Sequence, residues 1–174
     1  LGFAVSSAPT IELMGTLTNT VLSCVPPFTQ MAGIAVMRDD LDVRDERSEE
    51  FRRKVELLVR ELNEVDGISC RMPGGSFYVF PSVAAVCDRL GITSHGLAMY
   101  LLEGADDDKG VACLGGECFG EAGRGFLRLS CAQPDEGLSD AVSFIADAVG
   151  RSERVKAYLA EHEEYRLCEP YGFE

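Results

Sequence analysis

Basic residues are in short supply: 16 lysines and arginines stand against 29 aspartates and glutamates, for a net charge of −13. Nucleic-acid binding draws on lysines and arginines that neutralise phosphates, and no basic stripe runs along this chain, which argues against a polyanionic partner. Histidine is scarcer still, with only His95 and His162. The seven cysteines form no Cys-x-x-Cys pair and no zinc-ligand spacing, which argues against a metal centre. No apolar run approaches the roughly 20 residues that cross a bilayer. The start carries no basic leader or cleavage-like site, and there are no repeats or low-complexity stretches.

What remains is the composition of a soluble globular protein, 46% apolar and 26% charged, with 174 residues to build a core. The acidity reads as a solubility feature. Cys70, Cys87, Cys113 and Cys131 sit beside apolar residues and are expected as buried free thiols, which suits a reducing cytoplasm.

Leu1 to Val5 reads as a short buried strand. Pro9 suits the first turn of a helix running through Ile11, Leu13, Met14 and Leu17 toward Cys24, and Pro26-Pro27 ends it. A second apolar helix follows from Phe28 to Met37. Asp45 to Val65 is a charged helix with Phe51, Val55, Leu58 and Leu62 on one stripe, stopped by Asp66-Gly67. Ile68 to Met72 and Ser76 to Phe80 are short strands around a Pro73-Gly74-Gly75 turn. Helices are expected over Val83 to Leu90 and Ser94 to Glu103, the latter capped by Thr93 or Ser94. An acidic mobile loop, Gly104 to Gly110, leads to strands at Gly110 to Cys113 and Phe126 to Cys131. A helix over Asp135 to Val149, a charged helix from Arg151 and a loose Pro170-Tyr-Gly-Phe tail close the chain.

Side chains alternate faces along a strand, so Leu127, Leu129 and Cys131 share one face and Phe126, Arg128 and Ser130 the other. If the leucine face is buried, Arg128 is held at a fixed height opposite. Guanidinium stays charged and offers a planar fork of donors matched to a carboxylate. The plain alternative is an arginine on the wet side of a half-exposed strand. Arg124, between Gly123 and Gly125 in a flexible loop, reads as surface.

The words around Arg128 are more specific. Val111 to Ala132, with Gly-Gly-Glu-Cys-Phe-Gly and then Gly-Phe-Leu-Arg-Leu-Ser-Cys-Ala, resembles the C-terminal signature of fold type I, pyridoxal-phosphate-dependent aminotransferases of class I/II, the aspartate aminotransferase-like group. Leu1-Gly-Phe-Ala-Val, Asn19 to Gln30 and Pro73-Gly-Gly-Ser-Phe-Tyr-Val-Phe-Pro81 resemble further pieces of that family in the same order. The resemblance implies an α/β fold: the small C-terminal domain of that architecture plus a remnant of the large domain. Residues 1–40 would be the remnant, 41–66 the linking helix, 67–150 the small domain and 151–174 a charged extension without a family counterpart. It also implies pyridoxal 5'-phosphate as cofactor, an L-amino acid and a 2-oxo acid as substrates, and a homodimer. Nucleic acid and membrane are not among the expected partners.

By the same resemblance Arg128 grips the substrate's α-carboxylate. Phe119 either lines the substrate pocket or simply packs. Asn19 lies near a loop that reaches the partner subunit's active site, with backbone capping as the alternative. The family carries its cofactor on a lysine in a Ser-Lys context. Lys54, Lys109 and Lys156 are the only lysines, and none sits in that context or looks desolvated enough for a low-pKa amine. The chain is therefore expected to be a C-terminal portion that does not catalyse by itself. Two other readings stay open: a non-catalytic effector-sensing or dimerisation module of the same fold, and a lyase or decarboxylase of the superfamily.

Overall fold

The computed structural model describes residues 1–39 and 41–172, which fall into two compact units, Leu1–Ser48 and Glu49–Glu174. The expected boundary at Asp40 and the end of the tail, Phe173 and Glu174, lie outside the described residues.

The first unit is helical. Helix α1 (Ala8–Val21) begins with a proline in its first turn and carries no buried residue. Pro27 opens α2 (Pro27–Asp39), since a ring with fixed φ and no N–H suits a helix start. The strand expected at Leu1 to Val5 is absent: Leu1, Phe3 and Val5 are exposed and in no regular element. A strand needs a neighbour for its backbone hydrogen bonds, and the described residues of this unit form none. An apolar groove of about 910 Å³ runs past Leu1, Phe3, Val25, Ile34 and Met37.

The second unit holds the core. Helix α3 (Leu41–Leu62) reaches it with Val55, Leu58 and Leu62, all buried, and Phe51 packs alongside, as the stripe predicts. The helix stops at Leu62, earlier than expected. Asn63 then clips the chain, donating to the carbonyls of Val59 and Cys70 and accepting from the Cys70 amide. The left-handed Gly67 (φ +81°) completes the turn.

Three short antiparallel strands follow, in the order β1 (Tyr78–Val79), β3 (Leu127–Ser130), β2 (Leu114–Gly115). The expected hairpin is corrected here. Ile68 to Met72 meets the following segment only through a Ser69–Ser82 bridge, while β1 pairs with β3. The strand expected at Gly110 to Cys113 lies a few residues on, as β2, where Leu114 faces Arg128. Leu127, Leu129 and Cys131 are buried, so the alternation along β3 holds.

Helices α4 (Ala84–Leu90), α5 (Ser94–Met99), α6 (Asp135–Gly150) and α7 (Ser152–Glu161) enclose the core. Gly91, at φ +69°, closes α4, and Thr93 Oγ1 accepts the Gly96 amide at 3.0 Å to cap α5. Beyond Met99 the expected helix continues as a π-helical turn, Tyr100–Gly104. Tyr100 is fully buried there and donates to the Ala148 carbonyl.

Two expectations of looseness fail. The acidic segment after Gly104 is fastened by α7 and the residue before it. Arg154 donates to the Gly104 carbonyl at 2.7 Å and pairs with Asp107, and Arg151 donates to the Ala105 carbonyl. Amides of Asp108 and Lys109 donate to Asp106 and hold its carboxyl below the usual range. The described part of the Pro170-Tyr-Gly-Phe tail is likewise tied: the Tyr171 amide donates to Asp88 at 2.8 Å, and the Tyr171 hydroxyl accepts the Ser94 amide at 2.9 Å. In both cases the partners lie far along the sequence.

All seven cysteines are free; Cys70, Cys87 and Cys131 are buried and Cys113 half-buried. Among the described residues no helix is long and apolar enough to cross a membrane, and no cluster of His, Cys, Asp and Glu could hold a metal.

Candidate functional site

The central strand fixes Arg128. Its neighbours Leu127 and Leu129 are buried in the core, so its side chain emerges half-buried on the opposite face. There the guanidinium carbon lies 4.3 Å from the ring centre of Tyr78 on β1 and 4.8 Å from that of Phe119. Cation–π contacts of this kind contribute about 0.5–1 kcal/mol each where solvent is near. The guanidinium N–H groups make no hydrogen bond among the described residues. No carboxylate pairs with Arg128 among the described residues. The result is a cation clasped by two rings with its hydrogen-bonding edge uncommitted.

Phe119 reaches this position from a 3-10 turn, Gly116–Phe119, that follows β2 directly. The paired glycines are a packing requirement. A Cβ on Gly116 would strike the Gly123 carbonyl, and one on Gly115 would strike the His95 backbone and a Glu117 oxygen. Phe119 is half exposed, with its ring edge-on to Phe80, which stacks on Phe126. An aromatic shelf thus flanks the cation, and ring faces beside it lower the local dielectric and strengthen any ion pair formed there.

Two of the three site residues read from sequence, Arg128 and Phe119, are therefore in contact. The third, Asn19, lies on α1 in the other unit, exposed and with no side-chain hydrogen bond among the described residues. Arg124 is exposed, as expected. Its fork is engaged, donating to Glu121 at 2.8 Å, and its guanidinium lies 5.7 Å from the ring centre of Tyr171. The Glu121 hydrogen bond, available because Arg124 directly follows the 3-10 turn that Glu121 opens, raises its pKa further.

Sequence reasoning missed Ser94, which is fully buried. Its hydroxyl donates to Glu117 at 2.5 Å and accepts the Gly125 amide at 2.9 Å. Tyr171 also donates to Glu117, at 3.1 Å. The one available signal is a serine just inside a helix already capped by Thr93.

The lysines have other company. Lys54 has a largely covered side chain and donates to the Gln133 carbonyl at 2.6 Å, with Glu50 and Asp135 near. Lys156 pairs with Glu153, and Lys109 is exposed in the acidic segment.

No family model matches the chain. It is 32% identical over 157 residues to the aspartate aminotransferase of Rhizobium meliloti (strain 1021), covering 87% of this chain and 37% of that protein. The crystal structure of the aspartate aminotransferase from Rhizobium meliloti superposes with a TM-score of 0.65 at 34% identity, covering 82% of this chain and 36% of that one. A PLP-bound putative aminotransferase from Clostridium difficile 630 gives a TM-score of 0.66 over 84% of this chain and 36% of its own length; at 20% identity it speaks for the fold alone. The chain spans just over a third of the length of the curated relatives it matches. The fold is the α/β architecture of fold type I aminotransferases in part, and pyridoxal phosphate is that family's cofactor.

Proposed function

From the premise that this chain matches a portion of a fold type I aminotransferase in sequence and in fold, we propose that Arg128 clamps the α-carboxylate of an amino-acid substrate. The parent enzyme would transfer amino groups between an L-amino acid and a 2-oxo acid. One observation carries this reading: the ring-clasped guanidinium with its donor edge uncommitted. Two parallel N–H···O bonds fix the carboxylate in the guanidinium plane, and with it the direction of the Cα–H bond. Phe119 and Tyr78 flank the fork and limit its swing.

Pyridoxal phosphate would supply the electron sink. The lysines described do not fit a Schiff-base role, because Lys54 and Lys156 are engaged by acceptors and Lys109 is exposed among aspartates. The attachment lysine is then expected outside residues 1–174, and these residues alone are expected to be inactive. A homodimer with Asn19 near the partner's site, residues 1–40 as large-domain remnant and 67–150 as small domain complete the reading. The free cysteines accord with a cytoplasmic setting.

Arg128→Ala in the parent enzyme tests it. Losing two hydrogen bonds to a charged group, at about 1.5–3 kcal/mol each, should lower kcat/KM by about 10²- to 10⁴-fold. Arg128→Lys keeps the charge but not the fork and should still lose about tenfold or more. Activity within twofold of wild type in Arg128→Ala would overturn the assignment.

A further inference from the structure

The clamp has two halves on separate elements, Arg128 on β3 and Phe119 on the 3-10 turn after β2. Something must register them, and the hydroxyl of Ser94 touches the support of both. It accepts the amide of Gly125, the left-handed residue (φ +78°) two positions before β3 begins. It donates to Glu117, which lies inside the turn that ends in Phe119. The same Glu117 oxygen, Oε1, also accepts the His95 amide at 3.2 Å and the Tyr171 hydroxyl at 3.1 Å. Oε2 is buried with no hydrogen-bond partner, against the Cβ-less face of Gly115. A buried oxygen left unsatisfied is costly, so the carboxylate is held at that depth by the bonds to Oε1.

The C-terminal segment closes the arrangement. The Ser94 amide donates to the Tyr171 hydroxyl at 2.9 Å, and the Tyr171 amide donates to Asp88 at 2.8 Å. Burial pushes the Tyr171 hydroxyl pKa up, so it stays protonated and able to donate. Arg124, one residue before Gly125, lies over the same ring. Two chain segments remote in sequence, one with Glu117 and Gly125 and one with Tyr171, therefore converge on one buried serine.

We propose that Ser94, with Glu117 and Tyr171, positions the substrate clamp, setting Phe119 against Arg128, and that the C-terminal segment thereby controls the clamp's geometry. The inference rests on the reading of Arg128 as the carboxylate clamp. None of the three residues touches the guanidinium, so each acts through the elements it ties.

The Arg128 Nε–H resonance reports the geometry directly, because the ring currents of Tyr78 and Phe119 displace protons of a guanidinium held against them. In the full chain without ligand, Glu117→Gln and Tyr171→Phe should each move that resonance toward the position of an unstacked arginine. Ser94→Ala should move it furthest. In the cofactor-loaded parent enzyme the same variants should raise KM for the amino acid about fivefold to tenfold while kcat changes less than about twofold, the pattern of loosened binding rather than lost chemistry. Tyr171→Phe removes only a hydroxyl, so it keeps the test open if Ser94→Ala does not fold. An Arg128 resonance unmoved in folded Glu117→Gln and Tyr171→Phe would overturn the proposal. Unchanged KM in Arg128→Ala would instead sink the clamp reading, leaving the resonance to judge the positioning by itself.

Discussion

Leu17 and Leu58 each sit on the apolar stripe of a helix, yet Leu17 is 57% exposed and Leu58 1%. The same contrast runs through the two units. In Leu1–Ser48 the helix α1 buries nothing, while Glu49–Glu174 closes a core around β3. Helical periodicity names the face that must be covered; it does not supply the cover. The second unit has its sheet, its enclosing helices and a tail bonded back onto α5, so its apolar stripes find partners. That packing is what allows β3 to hold a cation at a fixed place.

The contrast is open to direct attack. The largest effect is expected from Leu58→Ala, which should cost about 2–5 kcal/mol in urea unfolding. Leu17→Ala should stay within about 0.5 kcal/mol, as exposed substitutions do; equal losses would erase the difference between the units.

Alkaline pH should weaken the second unit selectively. Burial pushes the thiols of Cys70, Cys87, Cys113 and Cys131 up, Cys113 to about 12. A group whose folded pKa exceeds its unfolded value stabilises fully below the unfolded value, about 8.5 for cysteine, and that contribution fades as pH climbs toward the folded one. The urea midpoint should therefore fall between pH 8 and pH 11, and fall less in Cys113→Ala. A pH-independent midpoint in the wild-type chain would contradict the burial of these thiols.

The smallest effect compares two helix starts. Thr93→Ala removes the hydroxyl that accepts the Gly96 amide and should cost about 1 kcal/mol. Ser7, at the start of α1, makes no cap bond and instead meets the Thr10 hydroxyl at 2.9 Å. Ser7→Ala should be near neutral by the same denaturation measurement.

Features set by neighbours along the chain are legible in the amino-acid sequence. Strand parity puts Arg128 opposite Leu127 and Leu129, the stripe on α3 marks Val55, Leu58 and Leu62, and a cap reads at Thr93 or Ser94, which the structure gives to Thr93. Features needing distant partners are not legible in this way. Ser94 meets Glu117 across 23 positions and Tyr171 across 77, which no local pattern announces. The acidic segment reads as mobile because the arginines that fasten it arrive 46 to 50 positions later. Leu1 to Val5 fails the other way: its apolar residues suggest a strand, but a strand depends on a neighbour, and the described residues of the unit form none.

The sharpest measurement pairs enzyme and substrate changes: kcat/KM for an amino acid and for its α-carboxamide, in wild type and in Arg128→Ala. If Arg128 grips the carboxylate, the parent enzyme strongly prefers the acid, and Arg128→Ala brings the two substrates to within a few-fold of each other. A preference for the acid that survives undiminished in Arg128→Ala would mean that another group holds the carboxylate.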